Sequence, residues 1–382
     1  MSNPSPHRVG LGVIGLGGFA RFSLQHFVQA PGVELVAAGG VTSDEARHAA
    51  ARYGIPVLES NDELCAHPGI DWVYINTPPF LHFEHAMLAL RAGKHVLIEK
   101  PLATEIGHAE ALMVEADERG LRLVTNLMQR YNPLLETLGT VLREGLLGAP
   151  LFFNLTNHAV DQGLPSGHWF WDRDKSGGIF VEHGVHFFDM ATMLLGPGRI
   201  DSAGSARRAS DGAEDQVWCD GRFGSAIARF YHGFNQTAAT EAQRFEIVCE
   251  RGQITMEGWI PLAATITATV DLAATRRLTE LAPAARLRVL EQFPPDRQEV
   301  RGHGRMHRVD QSIRLDVPPA SPKSELYGEL LQRLFTEQTA PDAASNSNSL
   351  RLQPDDGLES LRLAIAARDL ADAADAADPP ED

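Results

Sequence analysis

A short apolar run, Val9–Ile14, stops at Gly15, and a helical pattern begins at Gly18, with Gly15-Leu16-Gly17-Gly18-Phe19-Ala20 across the junction. A buried strand that ends on a glycine turn and re-enters as a helix is the opening of a βαβ unit. The G-x-G-x-x-A spacing then has a mechanical reading. Gly15 permits the tight turn, Gly17 lets the backbone approach a pyrophosphate, and Ala20 lets the helix pack closely on the sheet. The helix N-terminus adds free N–H groups and a partial positive charge. Glycines occur in many turns, so the flanking strand and helix carry the weight. On that ground Gly15, Gly17, Gly18, Phe19 and Ala20 are assigned to a dinucleotide site.

The same alternation continues. Residues 33–38 read as a second strand. Ser43 stands as an N-cap with Asp44 and Glu45 in the first helical turn, and Gly54 closes that helix. Trp72–Ile75 is a third strand, stopped by Thr77-Pro78-Pro79, with a helix over 80–91 behind it. His95–Ile98 is a fourth, Thr104 is placed as the cap of a helix running to 119, and 121–125 is a fifth. This pitch predicts an α/β fold with a doubly wound parallel sheet over residues 1–130.

Beyond that point the character changes. Asn132-Pro133 opens a helix to 144, and strand-like stretches at 151–158, 225–232, 244–249 and 253–256 are separated by longer loops. They predict an α+β domain over 131–339 with an open, largely antiparallel sheet. A polar stretch from Ala340 reads as a linker to 353. A last helix over 354–374 carries Leu358, Leu361, Leu363 and Leu370 on one broad face, and the acidic tail 375–382 reads as disordered.

Bulk properties exclude several partners. The 382 residues carry a formal net charge of −16, from 50 acidic and 34 basic side chains. That argues against nucleic acid and against anionic membranes. No apolar run has the length of a membrane span, and residues 1–8 hold no signal-peptide core. Cys65, Cys219 and Cys249 are widely spaced, which favours reduced thiols over a disulfide framework or zinc site. The expectation is a cytoplasmic protein acting on a small molecule.

The second strand ends without the carboxylate that would accept from a ribose 2′-hydroxyl; Ala38-Gly39-Gly40-Val41-Thr42-Ser43 stands there instead. Repulsion against a 2′-phosphate is thereby removed, and Thr42, Ser43 and Arg47 could bond one. The sequence leans to NADP, or to use of both NADP and NAD. Thr77 and Pro78, at the carboxyl end of a strand, fall on the edge where ligands lie in such sheets.

Glu99-Lys100-Pro101 also ends a strand, placing Glu99 and Lys100 beside the cofactor. A cationic lysine there would lower the pKa of a substrate hydroxyl, or polarise a carbonyl. After Gly177-Gly178 a helical spacing puts Glu182, His186 and Asp189 on one stripe, with Glu182 and His186 converging. An imidazole of near-neutral pKa beside a carboxylate suits proton transfer to a substrate oxygen. His183, Phe187 and Met190 form a neighbouring stripe read as packing. His158, His168, His183, His186, Asp161 and Glu182 show no tight ligand spacing, so no metal site is assigned. Trp169 and Trp171, in the densest aromatic cluster, fit two roles: faces for a sugar ring, or anchors of a long loop.

Together these motifs resemble the Gfo/Idh/MocA family, the glucose–fructose oxidoreductase and inositol dehydrogenase group. The matching features are Gly15-x-Gly17-x-x-Ala20, Glu99-Lys100-Pro101, Arg130-Tyr131-Asn132-Pro133, and Gly177-Gly178 through Gly184-x-His186-x-x-Asp189. The resemblance covers nearly the whole chain from Val9 to the last helix. It implies a Rossmann domain, a second domain whose open sheet forms dimer or tetramer contacts, and hydride transfer at a carbinol carbon of a sugar, inositol or related polyol. Lys100 matches the family lysine and His186 the family histidine, usually the acid/base. Glu182 stands where the family most often has Asp, a carboxylate longer by one methylene. The expected catalytic set is Lys100, His186 and Glu182, and the expected substrate set adds Trp169, Trp171 and Arg130. Two other functions stay open: a hydrolase or lyase using a tightly held nicotinamide for transient oxidation, and a non-catalytic dinucleotide sensor.

Overall fold

A computed structural model describes residues 8–41, 43–161, 163–302, 304–340 and 350–377. Its strands are β1 (Val9–Ile14), β2 (Val33–Gly39), β3 (Trp72–Ile75), β4 (His95–Ile98), β5 (Leu123–Thr125), β6 (Pro150–Val160), β7 (Gly198–Arg207), β8 (Glu214–Phe223), β9 (Ala226–Gln236), β10 (Ala242–Cys249), β11 (Gly252–Glu257), β12 (Ala264–Val270), β13 (Arg286–Gln292), β14 (Glu299–Gly302), β15 (Arg305–Arg308) and β16 (Gln311–Val317). The helices that matter to the site are α1 (Gly18–Phe27), α2 (Asp44–Tyr53), α3 (Asn61–Ala66), α4 (His82–Arg91) and α5 (Ile106–Glu118).

Contacts divide the chain into two compact units, and neither is a continuous stretch. The first gathers the chain through Met128 with Gly167–His186 and Tyr327–Ile365; the second gathers Gln129–Ser166, Phe187–Leu326 and the stretch from Ala366. The sequence predicts a simple break after residue 130. One of the two later segments, Tyr327–Ile365, buries aromatic surface against the first unit. Phe335 packs 5.2 Å from Phe27 and 6.2 Å from Trp72, and Tyr327 stacks edge-on to Phe22 at 4.7 Å.

In the first unit β1 to β5 form a parallel sheet in the order β2-β1-β3-β4-β5. All four residues of β3 are buried, as expected of a strand covered on both faces. The order reverses at β1, so the crevice between the carboxyl ends of β1 and β3 is the topological switch point. Ser43 caps α2 by accepting from Ala46 N, and Gly54 closes it in the left-handed conformation, both as expected. Thr104 is not a cap: α5 starts after Glu105 with no side-chain bond to its first turn.

The second unit holds a nine-stranded sheet in the order β13-β16-β12-β11-β10-β6-β9-β8-β7. Only the β6–β9 pair is parallel. Phe153, Phe230 and Phe245 fill its inner face, while Trp218 and Ile227 stand 44% and 47% exposed on the other. Asn132 caps the helix Pro133–Arg143 by accepting from Leu134 N.

Two expectations fall partly outside the described residues: most of the linker, 341–349, and the end of the tail, 378–382. The last helix runs over Asp356–Ala377, so 375–377 are helical, contrary to the expected tail. Among the described residues no helix is long and apolar enough to cross a membrane.

Candidate functional site

The glycine turn lies in the switch-point crevice. Gly15 has φ +88°, and a Cβ there would stand 2.8 Å from Asn76 O and from Thr77 Cγ2. Only glycine takes that conformation in that space without strain. Gly17 is the N-cap of α1, contributes no side-chain cap, and has nothing within 4 Å of the position its Cβ would fill. The first-turn N–H groups thus face an open cradle, which fits a pyrophosphate. Gly18 is similarly open, Ala20 is fully buried against the sheet, and Phe19 is 38% exposed with its ring 6.1 Å from Tyr327. Thr77 Oγ1 is 3.1 Å from His85 Nδ1, and Pro78 leads into a 3-10 turn, Pro79–Leu81. Of the expected 2′-phosphate ligands, Thr42 lies outside the described residues. Ser43 uses its oxygen as the cap of α2, which leaves its proton to donate.

At the end of β4 the two members of the Glu-Lys pair do different things. Glu99, expected beside the cofactor, is 8% exposed. Its Oε1 accepts from Tyr74 Oη at 2.6 Å and Asn126 Nδ2 at 2.7 Å. Asn76 Nδ2 in turn donates to Tyr74 Oη at 2.8 Å. Glu99 is therefore a buried anchor whose carboxyl pKa is raised by burial, against the opposing pull of these donors and of Lys100. The Tyr327 phenol is pushed up by burial and by Glu99.

Lys100 is followed by a cis peptide bond to Pro101. Its Nζ donates to Glu182 Oε1 at 2.6 Å and to the Glu182 carbonyl at 2.7 Å. The two side chains are 17% and 12% exposed, enough to meet a ligand yet partly shielded from water.

The segment that supplies Glu182 departs from the expected geometry. A short helix, Arg173–Ser176, packs against Pro79–Leu81 and ends at Gly177 with φ +82°. A π-helical turn follows over Phe180–Gly184, and the α-helix Val185–Leu195 continues from it. The wider i→i+5 turn breaks the 3.6-residue spacing that would stack Glu182 on His186. The carboxylate expected to orient the imidazole is instead bound to Lys100. Asp189, expected on the same stripe, lies in that α-helix three residues after His186 and is bound to Arg130.

Both imidazoles here are held neutral. The pKa of His183, read from sequence as packing, is driven down to about 3 by burial and then by the Lys100 charge. His186, expected near neutrality, is held well below 6.5 by burial, Lys100 and His183. His183 is thus a neighbour of the lysine that the helical stripe did not mark. Trp169 and Trp171 are half-buried in the loop before the short helix, with Trp171 edge-on to Phe170 at 4.7 Å.

Arg130 is corrected. It is 2% exposed, and its guanidinium bonds Asp189 Oδ1 through Nε at 2.9 Å and Nη2 at 2.7 Å, so it belongs to the core of the second unit. His158 and Asp161 also belong to that unit. Among the described residues no three His, Cys, Asp or Glu side chains gather as metal ligands would.

A parallel sheet with an open glycine cradle at its switch point, and a lysine–carboxylate pair two strands away, defines a dinucleotide-binding protein of the oxidoreductase type. Residues 9–127 match the oxidoreductase family with NAD-binding Rossmann fold, and residues 135–255 match the GFO/IDH/MocA C-terminal domain. The chain belongs to the Gfo/Idh/MocA family of oxidoreductases.

It is 35% identical over 196 residues to a dTDP-3,4-didehydro-2,6-dideoxy-alpha-D-glucose 3-reductase of Actinomadura kijaniata, covering 51% of this chain and 58% of the relative. It is 32% identical over 229 residues to a 1,5-anhydro-D-fructose reductase of Ensifer adhaerens, covering 58% of this chain and 68% of that one. Among solved structures, levoglucosan dehydrogenase in complex with NADH and levoglucosan superposes with TM-score 0.74 at 20% identity, over 96% of this chain and 98% of the other.

Proposed function

We propose that this chain is an NAD(P)-dependent dehydrogenase or reductase that moves hydride between nicotinamide and a carbinol or carbonyl carbon of a sugar, inositol or related polyol. The observation that carries the reading is the Lys100–Glu182 pair at 2.6 Å, within the same compact unit as the open cradle at Gly17. The names of the two sugar reductases among the relatives support the substrate class.

When bound, the dinucleotide accepts or gives the hydride. Gly15, Gly17 and the α1 N–H groups would hold its phosphates. Lys100 stabilises charge on the substrate oxygen, and Glu182 keeps that side chain aimed. His186, neutral in this environment, takes the proton of a substrate hydroxyl during oxidation. Trp169 and Trp171 bound the sugar. NADP, or either dinucleotide, is favoured by the Gly39-Gly40 end of β2, where no carboxylate opposes a 2′-phosphate. The open face around Trp218 and Ile227 is proposed to pair with a second copy as a homodimer or homotetramer of a cytoplasmic enzyme.

Reduced-nicotinamide absorbance with NAD and NADP against monosaccharides, inositols and glycosides tests the reading. Net cofactor reduction with one substrate class is expected. Product formation from a glycoside with no net reduction would favour transient oxidation by a retained cofactor. Dinucleotide binding with no turnover of any kind would favour a sensor.

The proton acceptor has its own signature. His186 must be neutral to accept a proton, and its lowered pKa keeps it neutral well below pH 6.5. In a pH series, kcat/KM for oxidation should hold as pH falls through 6.5 and decline only further down. An acidic limb at 6.5 or above would remove His186 from this role.

A further inference from the structure

Beneath the turn that carries Lys100 lies a histidine whose ring faces only acceptors. His82, at the start of α4, is 0% exposed. Its Nδ1 is 2.7 Å from the Pro101 carbonyl oxygen and its Nε2 is 2.8 Å from the Thr77 carbonyl oxygen. Neither partner has a proton to give. A neutral imidazole has one N–H, so its other nitrogen would aim a lone pair at a carbonyl oxygen at hydrogen-bond distance. Imidazolium alone satisfies both contacts.

Burial, Lys100 and His85 pull the ring pKa down to about 4 against the upward pull of the two carbonyls; a neutral ring would still set a lone pair against a carbonyl oxygen at hydrogen-bond distance, and it is that contact which favours the cation.

We infer that His82 is a positioning residue: as a buried imidazolium it fastens the Thr77 turn, on the dinucleotide side, to the Lys100–Pro101 turn. The lysine is thereby held in register with the cofactor cradle. The catalytic consequence rests on the reading of Lys100 given above; the protonation of the ring does not.

The test uses the full chain with isotope-labelled histidine nitrogens, and reads all 15 rings by proton–nitrogen NMR. At about pH 8, where a free imidazole is neutral, one ring protonated on both nitrogens is expected. That signal should be absent from His82→Asn and His82→Gln. Wild-type spectra with no doubly protonated ring overturn the inference, whether or not the variants fold.

The variants then separate the two bonds, because the Asn amide sits near Nδ1 and the Gln amide near Nε2. His82→Asn keeps the tie to Pro101 and should raise the dinucleotide KM about tenfold with kcat within about twofold. His82→Gln keeps the tie to Thr77 and should lower kcat about tenfold with the dinucleotide KM little changed. The same change in both variants would reduce His82 to a merely structural group and overturn the positioning role. A doubly protonated ring in a protein with no hydride transfer would support the clamp and strike the functional reading instead.

Discussion

Lys100→Ala is expected to lower kcat by about 10²–10³-fold while dinucleotide affinity stays within about twofold. The reason is the position of Nζ, which meets no part of the cradle described at Gly15 and Gly17 but is fixed by two oxygens of Glu182 at 2.6 and 2.7 Å. Charge on a substrate oxygen develops in the transition state, so losing the ammonium is felt in kcat more than in binding. The variant leaves Glu182 without its cation. Since that side chain is 12% exposed, some loss of stability accompanies the change, and melting curves must show a folded variant before rates are compared. Steady-state kinetics on the best substrate of the panel, with dinucleotide titration alongside, decides the matter. A loss below about tenfold would take Lys100 out of the reaction.

Gly17→Val is expected to abolish dinucleotide binding in a protein that still folds. Gly17 has φ −69°, which any residue adopts, and its Cβ would meet nothing within 4 Å. The added side chain fills the space into which the α1 N–H groups point, displacing the pyrophosphate. Losing these charge-assisted bonds should weaken affinity by at least about 100-fold, with stability changed by less than about 0.5 kcal/mol. Gly15→Val is the contrast. At φ +88° and 2.8 Å from Asn76 O it should destabilise the fold itself, by about 1–3 kcal/mol. Calorimetric titration and thermal melts on both variants separate the two roles. Undiminished binding by Gly17→Val would place the dinucleotide elsewhere.

Local signals in the chain were legible because local physics governs them. The apolar runs of β1, β3 and β4, the Ser43 and Asn132 caps, and the Gly15 turn each depend on neighbours a few residues away. The cradle and the place of Lys100 followed from the rule that parallel strands present ligands at their carboxyl ends. What the sequence hid depends on long reach or on a departure from regular geometry. The return of Gly167–His186 and Tyr327–Ile365 to the first unit is a tertiary choice that no composition shift announces. The π-helical turn at Phe180–Gly184 broke an argument built on 3.6 residues per turn, and so redirected Glu182 from His186 to Lys100. Arg130, expected at the substrate, found its partner 59 residues downstream in Asp189, within the second unit. Glu99, expected beside the cofactor, is instead held by Tyr74 and Asn126, and nothing local in the sequence marks His82, which two backbone carbonyls surround.

The central claim is that hydride passes between nicotinamide and a carbinol carbon of a carbohydrate. Incubating the protein with oxidised dinucleotide and perdeuterated sugars and inositols, and weighing the nicotinamide by mass spectrometry, tests it directly. Deuterium on the nicotinamide ring from one substrate class, appearing at least about 100-fold more slowly with Lys100→Ala, is expected. A ring that stays free of deuterium across the panel, in a protein shown by titration to bind the dinucleotide, would contradict the claim.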